Sequence, residues 1–586
     1  MRTLLSAVAA LLLVTQAPAT PYRTLNDRFP PPHFTSRADW ERRAVYLREH
    51  VLAAAGLLPL PQRCPLSPVI FDEQKHQDYS VSKVYFESLP GFYVTGNLYR
   101  PSGDGAFPAV LSPHGHWSYG RFENSPIASG PGRAINLARQ GFVVFTYDMI
   151  GYNDSRQLTH TFDGRRERLW GLSLAGLQLW NSIRGVDFLQ SLPCVRKDSI
   201  GATGESGGGT QTFLLAAADD RVQVAVPVNM ISLHMQGGCL CENLPGLRLD
   251  TTNVEIAAAI APRPLLMISA TGDWTNETLE VEYPAVRALY ALVGAEDRVS
   301  AVRFAAEHNY NRDSREAMYA WMGRWLKHAA AEAPQPERSF TPDPLPDLLV
   351  FHRRPLPDGA VTAEALTSGW IDAAARQLTM TPLAVRSAAL RHVLAFASET
   401  APQAKAAPVR RRSVVLVAGD TAGVEPPLRA AGCTVRPIRF TPFDEQAAAK
   451  VQHFETYNRT PASQRVADIV AALRAEPGAI LVAAGDEALA GALASAIEPP
   501  PLAVLDVRGF DTSRDEDFLA RLYIPGLRRA GDLQTASEMA PGRLVVHDAG
   551  PRFAATGARV ERAALTPAGI VALVRQASAR EGRSGE

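Results

Sequence analysis

The chain has little cysteine, no net charge and almost no long apolar run. Five cysteines in 586 residues are too few for a disulfide scaffold. Lys+Arg and Asp+Glu both number 60, so no overall basic field is present to recruit nucleic acid or an anionic membrane surface. Beyond the N-terminus no stretch is long and apolar enough for a transmembrane helix. We therefore expect a globular protein with no nucleic-acid partner and no membrane span.

The one marked apolar run lies at the N-terminus and predicts a signal peptide over residues 1–19. Arg2 precedes an apolar run from Leu4 to Val14, and Ala17-Pro18-Ala19 has the small-x-small pattern of a cleavage site. The run is too short to cross a bilayer. We expect an exported protein, secreted or periplasmic, that begins near Thr20.

The pentapeptide GESGG at residues 204–208 predicts a nucleophile elbow. It stands between a strand-like run, SIGAT, and a helix-like run of small residues, TQTFLLAAA. That is the context in which G-x-S-x-G carries a reactive serine. Ser206 would sit in a strained turn, and glycines at 204 and 208 would avoid clashes where strand and helix pass closely. We expect Ser206 to be a nucleophile.

An acid and a base follow the serine in the order that such a nucleophile needs. A serine hydroxyl requires a base to take its proton, and the base requires an orienting carboxylate. Asp273 follows the predicted strand PLLMISATG, and His308 follows the predicted strand VRFAAE. Both lie just past C-terminal strand ends, where α/β sheets place catalytic groups. We predict a triad of Ser206, Asp273 and His308.

Other acids and bases remain as weaker alternatives. Glu277 lies further into the segment after the same strand as Asp273, and Asp250 precedes that strand. His328 falls in a predicted helix, and His352 falls in a proline-rich segment.

The loop after the predicted strand FPAVLSP is expected to complete an oxyanion hole. One donor would be the N–H of Gly207, the residue after the nucleophile, and the other would be the N–H of His116. Alternatively, His114 and His116 only shape the loop through side-chain hydrogen bonds. A metal bound by these two histidines has no third ligand at an obvious spacing, so we expect no metal site.

Two groups of side chains near the site have open roles. Cys239 and Cys241 either take part in a disulfide or stay as buried thiols, and a lone C-x-C is poor evidence for zinc. Aromatic side chains could stack on a sugar ring at the rim of the pocket, or could belong to the core. The candidate substrate-binding residues are Trp117, Trp170 and Trp274, with Tyr119 and His234 as further rim residues.

Alternating strand-like and helix-like segments predict an α/β protein. About eight strands, with helices between them from the third onward, indicate a mostly parallel sheet covered on both faces. A chain of this length exceeds one core, so a second, smaller α/β domain is expected. The predicted organisation is a signal peptide at 1–19, an N-terminal helical segment at 20–75, a catalytic domain at 76–330, a proline-rich linker and helical bridge at 331–404, and a second domain at 405–580.

Several motifs together resemble a known family. The runs SPHGHW, YDMIGYNDS, LWNSIRGVDFL, TGESGGGTQ, APRPLLMISATGD and EHNYN are similar to serine α/β-hydrolases of the acetylxylan-esterase and dienelactone-hydrolase type, which are grouped with prolyl-oligopeptidase-like hydrolases. The resemblance covers about residues 75–330. It implies an α/β-hydrolase fold, with Ser206 as nucleophile, His308 as base and Asp273 as acid. It also implies Gly207 and His116 as oxyanion donors and no need for a cofactor.

The second half repeats parts of the first at a nearly constant spacing, which predicts a duplicated fold. The repeated runs are SIRGVDFLQSL at 182 and SQRVADIVAAL at 463, LPGLR at 244 and IPGLR at 524, and the Ala-Pro pairs at 261 and 540. When Gly204 is aligned with Gly485, Ser206 falls on Glu487 and the acid position falls near Arg552. We therefore expect the second domain to be a degenerate, inactive α/β-hydrolase-like repeat.

These features predict an exported serine esterase. The expected substrate is a carboxylic ester, with an acylated carbohydrate of the acetylxylan type favoured by the resemblance. One alternative is a serine peptidase of the prolyl-oligopeptidase-like type. The other is a carbohydrate-binding protein that keeps the hydrolase fold only as a scaffold.

Overall fold

The computed structural model describes residues 21–234, 237–328, 335–396 and 413–584. In it, apolar, β-branched runs form the central strands of a nine-stranded sheet. The predicted signal peptide lies outside the described residues. Val110 and Leu111 of one strand face opposite sides of the sheet and join different buried clusters. This is the pattern of a sheet covered by helices on both faces.

The first half contains eleven described strands and eight described α-helices. The strands are β1 (Val69–Lys75), β2 (Tyr79–Leu89), β3 (Phe92–Pro101), β4 (Phe107–Pro113), β5 (Asn124–Ser125), β6 (Ala128–Ser129), β7 (Val143–Tyr147), β8 (Val195–Glu205), β9 (Val222–Val228), β10 (Leu265–Gly272) and β11 (Val299–Glu307). The helices are α1 (Arg37–Ala54), α2 (Gly130–Arg139), α3 (Arg165–Leu169), α4 (Leu174–Ser191), α5 (Gly207–Ala218), α6 (Asn253–Ala258), α7 (Tyr283–Leu292) and α8 (Arg312–Lys327).

The large sheet is mostly parallel. Its order is β1-β2-β3-β7-β4-β8-β9-β10-β11, and β5 pairs only with β6. The pairs β1–β2, β2–β3 and β3–β7 are antiparallel, and every pair from β7 to β11 is parallel. The C-terminal ends of the parallel strands therefore share one edge, which is where the predicted site residues lie.

The N-terminal segment contains an element that the sequence analysis missed. Residues 20–75 were expected to be helical and irregular, and α1 is present with Ser36 accepting a hydrogen bond from the N–H of Asp39. However, Val69–Lys75 forms an outermost strand of the sheet. The sheet therefore has nine strands, whereas about eight were expected. Its sequence, VIFDEQK, is largely polar and its side chains are partly exposed, as an edge strand allows.

Helices after the first sheet lead into the second half. The described elements that follow are α9 (Leu345–Leu348), α10 (Ala363–Met380) and α11 (Leu383–Val393). The proline-rich segment before α10 packs on the first sheet: the Asp154 carboxylate accepts hydrogen bonds from the N–H groups of Val350 and Phe351, both at 2.9 Å. The segment expected to be a linker is thus held against the first half by its backbone.

The second half forms a six-stranded, fully parallel sheet. Its strands are β12 (Val414–Ala418), β13 (Thr434–Pro437), β14 (Ile480–Ala484), β15 (Ala503–Asp506), β16 (Leu544–His547) and β17 (Arg559–Val560). Its helices are α12 (Glu425–Ala430), α13 (Glu445–Ala448), α14 (Phe454–Tyr457), α15 (Pro461–Ala475), α16 (Asp486–Ile497), α17 (Asp515–Arg521), α18 (Asp532–Met539) and α19 (Pro567–Ser584). No helix in these described parts of the chain is long and apolar enough to cross a membrane.

The two sheets share one topology. The order β13-β12-β14-β15-β16-β17 reproduces the order β7-β4-β8-β9-β10-β11, and the sequence order of the matched strands is the same. Ser206 precedes α5 with φ 55° and ψ −122°, and Gly485 precedes α16 with φ 75° and ψ −137°. Both helices have 12 residues. The shared topology supports the predicted duplication.

The matched turns correct the alignment of the repeat. Ser206 corresponds to Gly485, and the expected match to Glu487 is wrong, because Glu487 lies one residue inside the first turn of α16. The helices before the two elbows, α4 and α15, match at a sequence offset that is two residues longer than the offset between Ser206 and Gly485. The connection between that helix and the elbow is therefore shorter in the second half, where β14 has 5 residues and β8 has 11.

The repeated PGLR loops face each other across the contact between the halves. Gly246 N–H donates to the carbonyl of Glu455 at 2.7 Å, and Gly526 N–H donates to the carbonyl of Arg168 at 2.7 Å. The Arg168 guanidinium and the Glu455 carboxylate are 3.1 Å apart between these two bonds. Each half thus presents the same loop to the other.

Candidate active site

The turn between β8 and α5 holds Ser206 in a strained conformation. Its φ of 55° lies in a region that residues other than glycine rarely adopt, and strain of this kind is typical of functional sites. A Cβ at Gly204 in β8 would lie 2.6 Å from the carbonyl oxygen of Gly208 in α5, and a Cβ at Gly208 would lie 2.6 Å from the carbonyl oxygen of Pro113 in β4. The glycines therefore permit the close passage of strand and helix, as expected.

Asp273 and His308 meet at the same edge of the sheet. Gly272 of β10 pairs with Glu307 of β11 after a shift in register at the end of the ladder, so the residues that follow are neighbours. The Nδ1 atom of His308 is 2.7 Å from Oδ2 of Asp273. Since a carboxylate only accepts hydrogen bonds, Nδ1 of His308 donates, and a neutral imidazole then has Nε2 free to act as a base.

The Asp273 carboxylate is buried and held in place. Its side chain is 1% exposed, whereas that of His308 is 28% exposed. Oδ1 of Asp273 accepts hydrogen bonds from the N–H of Thr275 at 2.6 Å and from the hydroxyl of Thr275 at 2.8 Å. With Oδ2 facing the imidazole, this carboxylate is oriented to keep His308 in one tautomer.

The alternative acids and bases have other contacts. Glu277 forms an exposed ion pair with Arg28 at 3.0 Å, and Asp250 accepts a hydrogen bond from the Tyr46 hydroxyl at 2.7 Å. His328 ends α8 in a left-handed conformation, and His352 is exposed. Asp273 and His308 are thus the acid and base that the structure brings into contact.

A buried charge lies directly beneath the elbow. Glu205 is 2% exposed, and its carboxylate accepts hydrogen bonds from Trp117 Nε1 at 2.7 Å and from the N–H of Gly115 at 3.2 Å. Arg133 forms an ion pair with it at 2.8 Å. Glu205, which directly precedes Ser206, thereby ties the loop after β4 to the elbow. Sequence reasoning treated Glu205 only as the variable position of G-x-S-x-G and missed this role.

His114 shapes the loop after β4. Its Nδ1 donates to the carbonyl of Gly115 at 2.7 Å, and its Nε2 accepts the N–H of Met149 at 3.0 Å. Burial lowers the pKa of His114 to about 3, so the imidazole stays neutral with one donor and one acceptor. His114 therefore shapes the loop through side-chain hydrogen bonds, which is the alternative role given in the sequence analysis.

His116 lies against the start of α5. A Cβ at Gly207 would be 2.6 Å from Cε1 of His116, so only glycine leaves room for the ring. The N–H of Gly207 is in the first turn of α5, where helix N–H groups have no partner within the helix. The His116 ring thus lies beside Gly207, which carries one of the two predicted oxyanion donors, and the role of the His116 N–H remains a prediction.

A group of four potential metal ligands adjoins the site. The ligand atoms of His116, His160, Cys239 and Cys241 all lie within 4.8 Å of one another. All five cysteines of the chain are free thiols, so the disulfide option for Cys239 and Cys241 is not used. The sequence analysis expected no metal site because it found no third ligand. His160 escaped notice since it is 44 residues from His116 in the chain and reaches the group only through folding.

Two of the three predicted substrate-binding tryptophans are at the site. The indole of Trp274 stacks on the His308 ring with centroids 4.6 Å apart, and the Trp117 ring centroid is 6.1 Å from that of His308. Nε1 of Trp274 is buried and has no hydrogen-bond partner. Of the further rim residues, Tyr119 is 60% exposed and His234 is half-buried.

The prediction for Trp170 is wrong. This residue is buried in the contact between the two halves, where Nε1 donates to Asp515 at 3.0 Å. Its ring also lies under the Arg528 guanidinium, 4.6 Å from ring centroid to Cζ. Sequence patterns cannot distinguish a tryptophan at an interface between domains from one at a pocket rim, because both positions favour an apolar ring with a polar N–H.

Proteins of similar sequence and structure are hydrolases and esterases. YtaP of Bacillus subtilis, which is named as a hydrolase, is 27% identical over 291 residues, corresponding to 46% of this chain and 95% of YtaP. The solved structure of the methylesterase BT1017 matches with a TM-score of 0.50 and 28% identity, covering 59% of this chain and 78% of that one. An acetyl xylan esterase from Paenibacillus sp. R4 matches with a TM-score of 0.33 and 16% identity, covering 52% of this chain and 98% of that one. No protein-family model matches the chain.

The sheet order, the strained serine turn and the similarities to YtaP and to BT1017 define the class of protein. The first half has the α/β-hydrolase fold, and a second, smaller α/β sheet follows it. The protein is a carboxylic ester hydrolase of the α/β-hydrolase superfamily.

Proposed function

We propose that the protein is an exported serine esterase that cleaves carbohydrate esters through an acyl-enzyme. The observation that carries the proposal is the 2.7 Å contact of His308 Nδ1 with Asp273 Oδ2 at the sheet edge that also presents the strained Ser206 turn. Export rests on the predicted signal peptide at residues 1–19.

The first step is attack of the Ser206 hydroxyl oxygen on the ester carbonyl carbon. His308 Nε2 takes the hydroxyl proton, and Asp273 stabilises the imidazolium that forms. The carbonyl oxygen becomes an oxyanion, which the N–H groups of Gly207 and His116 stabilise, each by about 3 kcal/mol. Collapse of the tetrahedral intermediate expels the alcohol, which receives its proton from His308.

The second step returns the enzyme to its starting state. Water replaces the alcohol, and His308 Nε2 takes a proton from it as the water oxygen attacks the acyl carbon. A second tetrahedral intermediate collapses, the proton returns to the Ser206 oxygen, and the acid leaves. Every proton in this cycle is carried by His308, so the reaction needs no further acid or base.

Two ester types are candidates for the substrate. The sequence resemblance favours acetyl esters of a polysaccharide, and the similarity to the methylesterase BT1017 adds methyl esters. On a polysaccharide, a methyl ester requires a sugar that carries a carboxyl group. Trp117 and Trp274 beside His308 provide apolar surface on which a sugar ring could stack.

Product analysis distinguishes these substrates. Purified protein would be incubated with acetylated xylan and with methyl-esterified pectin, and acetate and methanol would be measured by mass spectrometry or gas chromatography. We expect one product to be released by the wild type and none by Ser206→Ala. Turnover of short peptides without ester cleavage would favour the peptidase alternative. Binding without any product would favour the scaffold alternative.

A further inference from the structure

Three loops at the sheet edge bring two imidazoles and two thiols together. His116 comes from the loop after β4, His160 from the loop after β7, and Cys239 and Cys241 from the loop after β9. The four residues span 126 positions of the chain, so their convergence is a product of the fold. Cys241 is buried and the other three are half-buried, which limits competition from water.

The donor set and its spacing suit a tetrahedral ion. His116 Nε2 is 2.9 Å from Cys241 Sγ, and His160 Nε2 is 3.3 Å from Cys239 Sγ. In a zinc site with two nitrogen and two sulfur ligands, neighbouring ligand atoms are about 3.3–3.8 Å apart. Since all four atoms already lie within 4.8 Å of one another, shifts of about 1 Å or less would complete the coordination.

The surroundings orient one imidazole as a ligand. His160 Nδ1 is 2.6 Å from the carbonyl oxygen of Ile150, which can only accept a hydrogen bond. Nδ1 therefore carries the proton, and the unprotonated Nε2 points at the thiols. A metal-bound histidine typically has this arrangement, with its second nitrogen donating to a carbonyl or carboxylate.

We propose that His116, His160, Cys239 and Cys241 bind a zinc ion. Two thiolates and two imidazoles form a closed set of four ligands, as in structural rather than catalytic zinc sites. On binding, each thiol loses its proton to solvent and the ion gains two sulfur ligands, with no redox change. The ion would join the loops after β4, β7 and β9, and it would fix the His116 ring against Gly207. The site requires neither the ester chemistry nor the triad.

The test is metal content and coordination of the full chain. Protein purified without chelators and dialysed would be analysed by inductively coupled plasma mass spectrometry. We expect about one zinc per chain. Cobalt added to metal-free protein should give the visible absorption of tetrahedral cobalt together with thiolate-to-cobalt charge transfer. Both measurements are made on the wild-type protein, so they do not depend on the folding of any variant.

Variants locate the site. Cys239→Ser and His160→Gln should each reduce bound zinc by about tenfold or more under the same dialysis. Matched controls, Cys433→Ser in the second half and His352→Gln on the surface, should retain the wild-type content. Circular dichroism would verify that each variant is folded.

Three results would overturn the proposal. They are a transition-metal content far below one per chain with no tetrahedral cobalt spectrum, equal loss of metal in the Cys433→Ser control, and an intact mass two hydrogens low with Cys239 joined to Cys241. The last would show that the thiols form a disulfide in place of the metal site.

Discussion

In the first half of the chain the turn after β8 carries a serine, whereas in the second half the matching turn after β14 carries Gly485. Both turns have a positive φ, and both lead into a 12-residue helix. A glycine adopts this conformation at little steric cost, while a serine there is strained. The two halves thus share the turn geometry, and only the first half has a strained residue with a hydroxyl at this position.

The residues directly before the two turns also differ, because one is polar and the other is apolar. Glu205 is a buried carboxylate paired with Arg133, and the residue before Gly485 is the buried, apolar Ala484. The second half also lacks a long strand at the position of the base: β11 has 9 residues and leads to His308, and β17 has 2. Packing is sufficient to preserve the sheet order, whereas the chemistry needs a base after the last strand, and no histidine follows β17. The histidine that ends β16, His547, is buried, and its Nδ1 accepts the N–H of Leu565.

The largest expected effect is the loss of activity on exchange of the nucleophile. Ser206→Ala should lower kcat for an activated ester by about 10⁴-fold or more, because nucleophile and base act as a unit. The reverse exchange, Gly485→Ser, should add no activity in the Ser206→Ala background, since no histidine follows β17, the strand that matches β11. Steady-state kinetics measure both. Activity gained with Gly485→Ser would show that the second half retains a working site.

The buried carboxylate beneath the elbow should be important for stability. Glu205→Gln leaves the Arg133 guanidinium buried without its ionic partner, which costs about 3–5 kcal/mol in the free energy of unfolding. A comparison in the second half is Glu487→Gln, which replaces a carboxylate near the matching turn that forms a partly exposed pair with Arg465 at 3.3 Å. It should cost less than about 1 kcal/mol. Urea denaturation compares the two, and equal losses would refute the contrast between the halves.

The contact between α1 and α11 should make stability depend on pH. His50 packs against His392, with their Nδ1 atoms 3.4 Å apart, and its Nε2 contacts the carbonyl of Gly246 at 3.2 Å. Burial lowers the pKa of His50 to about 4, with the nearby Asp250 opposing the shift. The unfolded chain therefore binds a proton before the folded chain does. This contribution is complete above about pH 6.5 and is lost as the pH falls towards 4.

The expected size of the effect is about 3 kcal/mol between pH 6.5 and 4. His50→Gln should flatten this part of the stability curve, because glutamine has no proton to gain. Thermal unfolding at several pH values measures the slope. An unchanged slope in His50→Gln would assign the pH dependence to other groups.

The smallest expected effect distinguishes Trp274, beside His308, from Trp170, in the contact between the halves. Trp274→Ala removes the ring that stacks on His308 and should lower kcat/KM by about tenfold, consistent with the energy of one aromatic contact. Trp170→Phe removes the hydrogen bond to Asp515 between the halves and should lower the melting temperature with little change in kcat/KM. A similar loss of kcat/KM in both variants would contradict the assignment of Trp170 to the interface.

Much of the fold could be predicted from the sequence because its signals are local. The elbow is a run of five residues, and Asp273 and His308 each follow an apolar strand directly. The polar edge strand β1 carries no such signal, and neither do Trp170 at the interface and the Glu205–Arg133 pair. The group of His116, His160, Cys239 and Cys241 depends on three separate loops. Its recognition requires the sheet order, which no short motif contains.

The repeat shows the same limit. Its matching runs were visible at nearly constant spacing, yet the register of the elbow was misplaced by two residues. Helical runs align by composition, whereas the position of the turn is defined by backbone conformation. Only the positive φ of Gly485 fixes its match to Ser206.

The most direct test of the central claim is labelling with a fluorophosphonate, followed by peptide mapping. An activated serine reacts at its hydroxyl oxygen and displaces fluoride, so the label marks the nucleophile itself. We predict one label per chain, on the peptide that contains Ser206, with no label in Ser206→Ala and none on residues 413–584. A label on another serine, or an unlabelled wild-type protein that still cleaves esters, would contradict the account.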